Sequence, residues 1–174
     1  MPVLRGESAP PWTRSYRPLL PQGDLQTVAA RYWPAPLDEA RFPAETVFFD
    51  TEPGVRVSAK LQRQGAARTL LLVHGLTACT EARYMRTLAA RALERGWDVV
   101  RLNVRNCGGT EALCPTLYHS GLTADLASVV EQLAPGPLAI LGFSMGGNMA
   151  LKLAGEWGDA PPPHVRAVAG VSVP

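Results

Sequence analysis

Long apolar runs, paired cysteines and an excess of charge of either sign are all missing from this chain of 174 residues, and each absence removes a class of protein. The longest apolar stretches are strand-sized and the amino end, Met1-Pro2-Val3-Leu4-Arg5-Gly6, has no apolar core, so no membrane span and no secretory leader are expected. The three cysteines, Cys79, Cys107 and Cys114, form no C-x-x-C pair. That argues against a disulfide framework and for a reducing, cytoplasmic compartment. Cys107, Cys114 and His119 make the one loose cluster of metal-ligating types, without the tight paired spacing of structural zinc, so neither a metal nor another cofactor is expected. A net charge of +2, with no basic stripe interleaved with aromatics, counts against nucleic acid or an anionic membrane as partners. Lysine is also scarce, 2 residues against 15 arginines, but the arginines are scattered and point to no surface.

What remains, 47% apolar and 18% charged residues, is the composition of a soluble globular chain long enough for one core. Residues 1–43 are rich in proline and aromatics (Pro10-Pro11-Trp12, Tyr16-Arg17-Pro18, Trp33-Pro34-Ala35-Pro36) around a short helical stretch near Leu25 to Arg31, and read as an ordered extension. Residues 44–174 read as the body. Glu45–Phe49 and Val55–Leu61 flank Glu52-Pro53-Gly54 as a hairpin, and the alternation in the second run predicts one buried face. Thr69–Val73 is continuously apolar, as in a parallel strand covered on both sides. A helix over Ala82 to Arg95 ends at Gly96, and a strand follows over Trp97–Val104. After a polar, Gly-rich loop from Arg105 to Gly121, the pattern gives a helix near Leu122–Leu133 and a strand over Pro137–Leu141. A helix over Met145–Glu156 and a last strand over Val165–Val173 complete it. Strands alternating with helices of this length mean βαβ units and a mostly parallel sheet flanked by helices. No internal repeat is visible.

Ligands bind beyond the carboxyl ends of the strands in such a sheet. The loop there with the sharpest chemistry is Gly142-Phe143-Ser144-Met145-Gly146, a G-x-S-x-G between a strand and a helix. The pattern predicts a nucleophile elbow: Ser144 on a strained turn with its hydroxyl pushed outward, and Gly142 and Gly146 letting strand and helix backbones pass. The helix beginning there aims its free N–H groups at charge developing on a substrate oxygen. His74-Gly75-Leu76 after the preceding apolar strand is the expected source of the second oxyanion donor, so the N–H groups of Leu76 and Met145 are expected to converge near Ser144. Gly75 would let a substrate approach. His74 belongs to this oxyanion segment and is expected to shape it by hydrogen bonding, and His119 is expected to order its own loop. Asp125 falls in the first turn of the following helix, where a carboxylate suits the dipole.

Four segments together resemble one family. His74-Gly75-Leu76, Val104-Arg105-Asn106-Cys107-Gly108-Gly109, Tyr118-His119-Ser120-Gly121-Leu122-Thr123-Ala124-Asp125 and Gly142-Phe143-Ser144-Met145-Gly146-Gly147-Asn148-Met149 are similar to the YheT-like branch of the α/β-hydrolases, over about residues 16–174. Asp24-Leu25-Gln26-Thr27 departs from that branch, which has a histidine at the first position. The resemblance implies an α/β-hydrolase-type sheet and a serine hydrolase acting on small carboxylic esters, acylglycerols or short-chain esters. Serine hydrolases of this fold place the triad acid and histidine after the serine. This chain stops at Pro174, so the resemblance implies a domain truncated after the sixth strand, and the alternative is a non-catalytic remnant. Acyl transfer to an acceptor other than water shares every motif. Oligomeric state is not legible.

Overall fold

The computed structural model describes residues 17–133 and 136–174; Pro10-Pro11-Trp12 and Tyr16 of the expected extension lie outside the described residues. The chain divides into two compact units, residues 1–34 and Ala35–Pro174. The first holds helix α1, Gly23–Tyr32. Leu37 and Phe42, in the proline-rich stretch, pack in the core of the second unit.

The second unit runs β1 (Glu45–Glu52), β2 (Val55–Gln62), β3 (Thr69–Val73), α2 (Arg83–Glu94), β4 (Asp98–Leu102), α3 (Ala124–Gln132), β5 (Leu138–Phe143), α4 (Met145–Trp157) and β6 (Val165–Val171). One six-stranded sheet has the order β1-β2-β4-β3-β5-β6. β1 and β2 form the hairpin, β2 pairs antiparallel with β4, and β4, β3, β5 and β6 are mutually parallel. Among the described residues no helix is long and apolar enough to cross a membrane.

Period-two geometry divides the strands between two cores. Leu71 and Val73 of β3 meet Leu126, Val129 and Val130 of α3 and Met149 and Leu153 of α4, whereas Leu72 meets Met85, Ala89 and Leu93 of α2 on the other face. β3 is covered on both sides because α2 lies on one face and α3 with α4 on the other. Helix α2 ends as its sequence predicts. Gly96 takes φ +72°, its N–H reaches the Leu93 carbonyl at 3.0 Å, and the Trp97 N–H reaches Ala92 at 3.1 Å, the paired bonds of a Schellman stop.

Two expectations need correction. β2 is not buried on one face only: Ser58 and Gln62, on the face its alternation leaves polar, are also buried. Ser58 Oγ accepts from Asn103 Nδ2 at 2.9 Å and Gln62 Nε2 donates to the Phe42 carbonyl at 2.7 Å, while Gln62 Oε1 is buried with no hydrogen-bond partner among the described residues. Strand β4 stops at Leu102 because the Val104 N–H is taken by the His74 ring at 3.1 Å.

Candidate active site

The residues of interest lie in loops leaving the carboxyl ends of the parallel strands. Every non-glycine residue with positive φ among the described residues is there too: Thr77 (56°) after β3, Asn106 (58°) after β4, Ser144 (49°) after β5 and Ser172 (50°) after β6. Such conformations cost about 1–3 kcal/mol each and persist where the surroundings over-determine them. Strain is thus concentrated on the edge where this topology puts ligands.

Ser144 joins β5 directly to α4 with φ 49° and ψ −121°. Its N–H donates to the Val171 carbonyl at 2.8 Å and its carbonyl accepts the Asn148 N–H at 3.0 Å, so strand β6 and the first helical turn hold the bend from both sides. The residue is exposed although Met145, Gly146 and Gly147 are buried. Close backbone approach explains the flanking glycines. A β-carbon at position 146 would stand 2.7 Å from the Val73 carbonyl oxygen and run into that of His74, and one at 142 would stand 2.6 Å from the Gly147 Cα.

The loop after β3 lies against this bend. A β-carbon at Gly75 would stand 3.2 Å from Ser144 Cβ and 3.8 Å from its Oγ. His74 is fully buried, with both ring nitrogens committed to backbone. Nε2 accepts the Val104 N–H, so the proton sits on Nδ1, which donates to the Gly75 carbonyl at 2.7 Å. Burial lowers the imidazole pKa below its ordinary value, against a smaller opposing effect of the Gly75 bond. A histidine that folds in its neutral form makes the unfolded chain bind more protons between the two pKa values. Its contribution to stability is therefore complete above about pH 6.5 and is lost as pH falls below that, by up to ~1.4 kcal/mol per unit. Denaturant titrations from about pH 7 to 5 are expected to show this slope in the natural chain and a flatter one in His74→Gln. Superimposable profiles would refute a neutral buried His74.

Within the Gly75–Thr77 turn, the Gly75 N–H donates to Tyr84 Oη at 3.0 Å and the Thr77 N–H to Tyr118 Oη at 3.1 Å. Leu76 lies between them with its side chain 63% exposed. The loop after β4 is tied to the same edge. Asn148 Nδ2 donates to the Ser120 carbonyl at 3.0 Å, and His119 lies over Gly121, where a β-carbon would be 3.5 Å from Nδ1. Among the described residues no hydrogen bond joins His119 to Ser144, whereas Gly75, Ser144 and the start of α4 are gathered in one place. Of the cysteines, Cys114 Sγ–H donates to the Arg56 carbonyl at 3.2 Å, and Cys107 is buried. No group of ligating residues able to hold a metal ion occurs among the described residues.

Sequence reasoning missed the anchor of the second loop. Asp125 does begin α3, but its carboxylate is buried against the Arg105 guanidinium, Nε to Oδ2 at 2.9 Å and Nη2 to Oδ1 at 2.7 Å. Thr51 Oγ1 adds a 2.6 Å bond to Asp125, and Arg105 also reaches Thr116 at 2.6 Å and Glu52 at 3.2 Å. Asp125 raises the Arg105 pKa above its already high ordinary value.

A mostly parallel sheet between α2 and the α3–α4 pair, with an exposed serine on a strained strand-to-helix turn, is the architecture of one hydrolase class. The model of the α/β hydrolase fold family matches residues 68–174, and the chain belongs to that family. It is 36% identical over 110 residues to "Putative esterase YheT" of Escherichia coli, covering 60% of this chain and 32% of that protein. With mouse "Phospholipase ABHD3" the identity is 35% over 98 residues, covering 54% of this chain and 24% of that one. Among solved structures, the Pyrococcus furiosus esterase Pf2001 superposes with a TM-score of 0.58 at 25% identity, covering 66% of this chain and 47% of the esterase. The matched region is thus at most a third of these curated relatives and about half of the solved esterase. The similarity is consistent with the YheT-like branch.

Proposed function

We propose that the chain carries the nucleophile and the oxyanion donors of a serine hydrolase acting on small carboxylic esters, with Ser144 as nucleophile and the N–H groups of Leu76 and Met145 as donors. The observation that carries this reading is Ser144 itself, exposed at φ 49° just ahead of the buried Met145, Gly146 and Gly147, with Gly75 lying against it. Gly142 and Gly146 are the elbow glycines that allow the bend. Esterase and phospholipase names among the relatives support an ester as substrate, as does a "Monoacylglycerol lipase" of Saccharomyces cerevisiae, 27% identical over 105 residues. Free thiols at Cys79, Cys107 and Cys114 fit a reducing, cytoplasmic setting.

In this mechanism Ser144 Oγ attacks the ester carbonyl carbon while its proton passes to a base, and the carbonyl electron pair becomes an oxyanion held by the two amides. Collapse expels the alcohol and leaves an acyl-serine, which water resolves to the acid; an acceptor alcohol in place of water gives acyl transfer. The base is the step that the described residues leave open. His74 is spent on backbone and His164 Nε2 lies 3.1 Å from the Val130 carbonyl. No imidazole is bonded to Ser144 among the described residues, which favours a second reading: residues 1–174 by themselves are silent.

Site-resolved mass spectrometry after fluorophosphonate treatment separates these possibilities. Without added base, Ser144 is expected to label no faster than exposed Ser120. A free imidazole at about 0.1 M lacks the effective molarity of a tethered base, so it should restore only slow labelling, about tenfold above background and confined to Ser144. Its loss in Ser144→Ala would follow. Equal labelling of Ser144 and Ser120 with imidazole would refute Ser144 as nucleophile. Fast labelling without imidazole that His119→Ala abolishes would refute the silent reading instead.

A further inference from the structure

The turn after β3 carries three consecutive N–H groups, and two of them are bonded by phenols from different parts of the chain. Tyr84, in the first turn of α2, accepts from Gly75, and Tyr118, in the loop after β4, accepts from Thr77. No acceptor meets the Leu76 N–H among the described residues. We propose that Tyr84 and Tyr118 are positioning residues that select Leu76 as the one free donor of this turn and aim it at the substrate oxygen. This rests on the reading of Ser144 as nucleophile.

Both phenols are held by groups that belong to the same edge. The Tyr84 ring packs on Phe143, the residue before Ser144, with centroids 4.6 Å apart and planes at 52°, so one side chain fixes the donor turn relative to the elbow. Burial raises the Tyr84 pKa, which keeps the hydroxyl neutral at physiological pH. Tyr118 packs against the α3–α4 core, so its bond to Thr77, the third and strained residue of the turn, ties that residue to the loop after β4. The turn needs such partners because Thr77, at φ 56°, is in a conformation that no sheet ladder would supply. A donor locked before substrate arrives is worth more than one that must reorganise, since its orientation costs nothing in the transition state.

The test uses amide hydrogen exchange by nuclear magnetic resonance on residues 1–174, together with Ser144 phosphonylation driven by imidazole. In the natural chain, Gly75 and Thr77 amides should be protected and Leu76 should exchange freely. Tyr84→Phe should expose Gly75, and Tyr118→Phe should expose Thr77, each by about tenfold or more, with Leu71 to Val73 unchanged. Each variant should lower the limiting phosphonylation rate about threefold, still above background, without changing the probe concentration giving half that rate, as expected for loss of transition-state stabilisation alone. Protection of Leu76 in the free chain, or variants that expose their amides yet label at the natural rate, would overturn the proposal. If Ser144 never labels, the ester-hydrolase reading fails and the exchange pattern alone decides the clamp. Should one variant fail to fold, the other still tests the same claim at its own amide.

Discussion

Replacing Arg105 with alanine is expected to lower the unfolding free energy by about 3–5 kcal/mol, because it leaves the Asp125 carboxylate buried without its counter-charge. Arg105 and Asp125 are 4% and 3% exposed, and two parallel hydrogen bonds join them. The loss is a large fraction of the ~5–15 kcal/mol that holds a typical domain together. The pair also fastens the loop carrying Tyr118 to α3, and through Thr51 and Glu52 to β1. Removing both charges with similar-sized apolar residues, Arg105→Met with Asp125→Leu, should cost much less than removing one, since no orphaned ion remains. Guanidinium unfolding of the natural chain and the two variants measures this. A loss under about 1 kcal/mol for Arg105→Ala would mean that water reaches the carboxylate.

The second large effect lies in α4, where two glycines of one helix should respond in opposite directions. Gly146→Ala drives a methyl into the carbonyls of Val73 and His74, and backbone at the end of a central strand cannot move aside as a side chain can. About 3 kcal/mol or more should be lost, at the upper end of what overpacking costs. Gly155→Ala, exposed and with nothing within 4 Å of the added carbon, should gain about 1 kcal/mol from helix propensity alone. Thermal melting of the two variants gives the comparison. Equal shifts of either sign would show that the contact of α4 with the end of β3 is looser than the structure has it.

These effects mark where the sequence was readable. β3, the Gly96 stop of α2 and the G-x-S-x-G turn were legible because each is written in contiguous residues: an apolar run, a left-handed cap, a pair of glycines around a serine. His74-Gly75-Leu76, read as the expected source of the second oxyanion donor, is written in the same local way, in three residues that follow an apolar strand. What escaped is long-range. Ser58 and Gln62 look like solvent-facing positions until Asn103 and the Phe42 carbonyl arrive from elsewhere to bond Ser58 Oγ and Gln62 Nε2. Asp125 fits a helix dipole, and only the fold brings Arg105 onto it. Tyr84 sits at core spacing along its helix, and nothing in that spacing says that its hydroxyl holds Gly75.

In the proposed mechanism the loop after β3 and the start of α4 form one oxyanion site around Ser144. A crystal structure of the phosphonylated chain measures it directly, since the phosphonyl oxygen stands where the oxyanion of an ester would. That oxygen is expected within about 2.7–3.1 Å of both the Leu76 and the Met145 nitrogen. A phosphonyl oxygen turned to solvent, or bonded to neither amide while phosphorus is attached to Ser144, would contradict it.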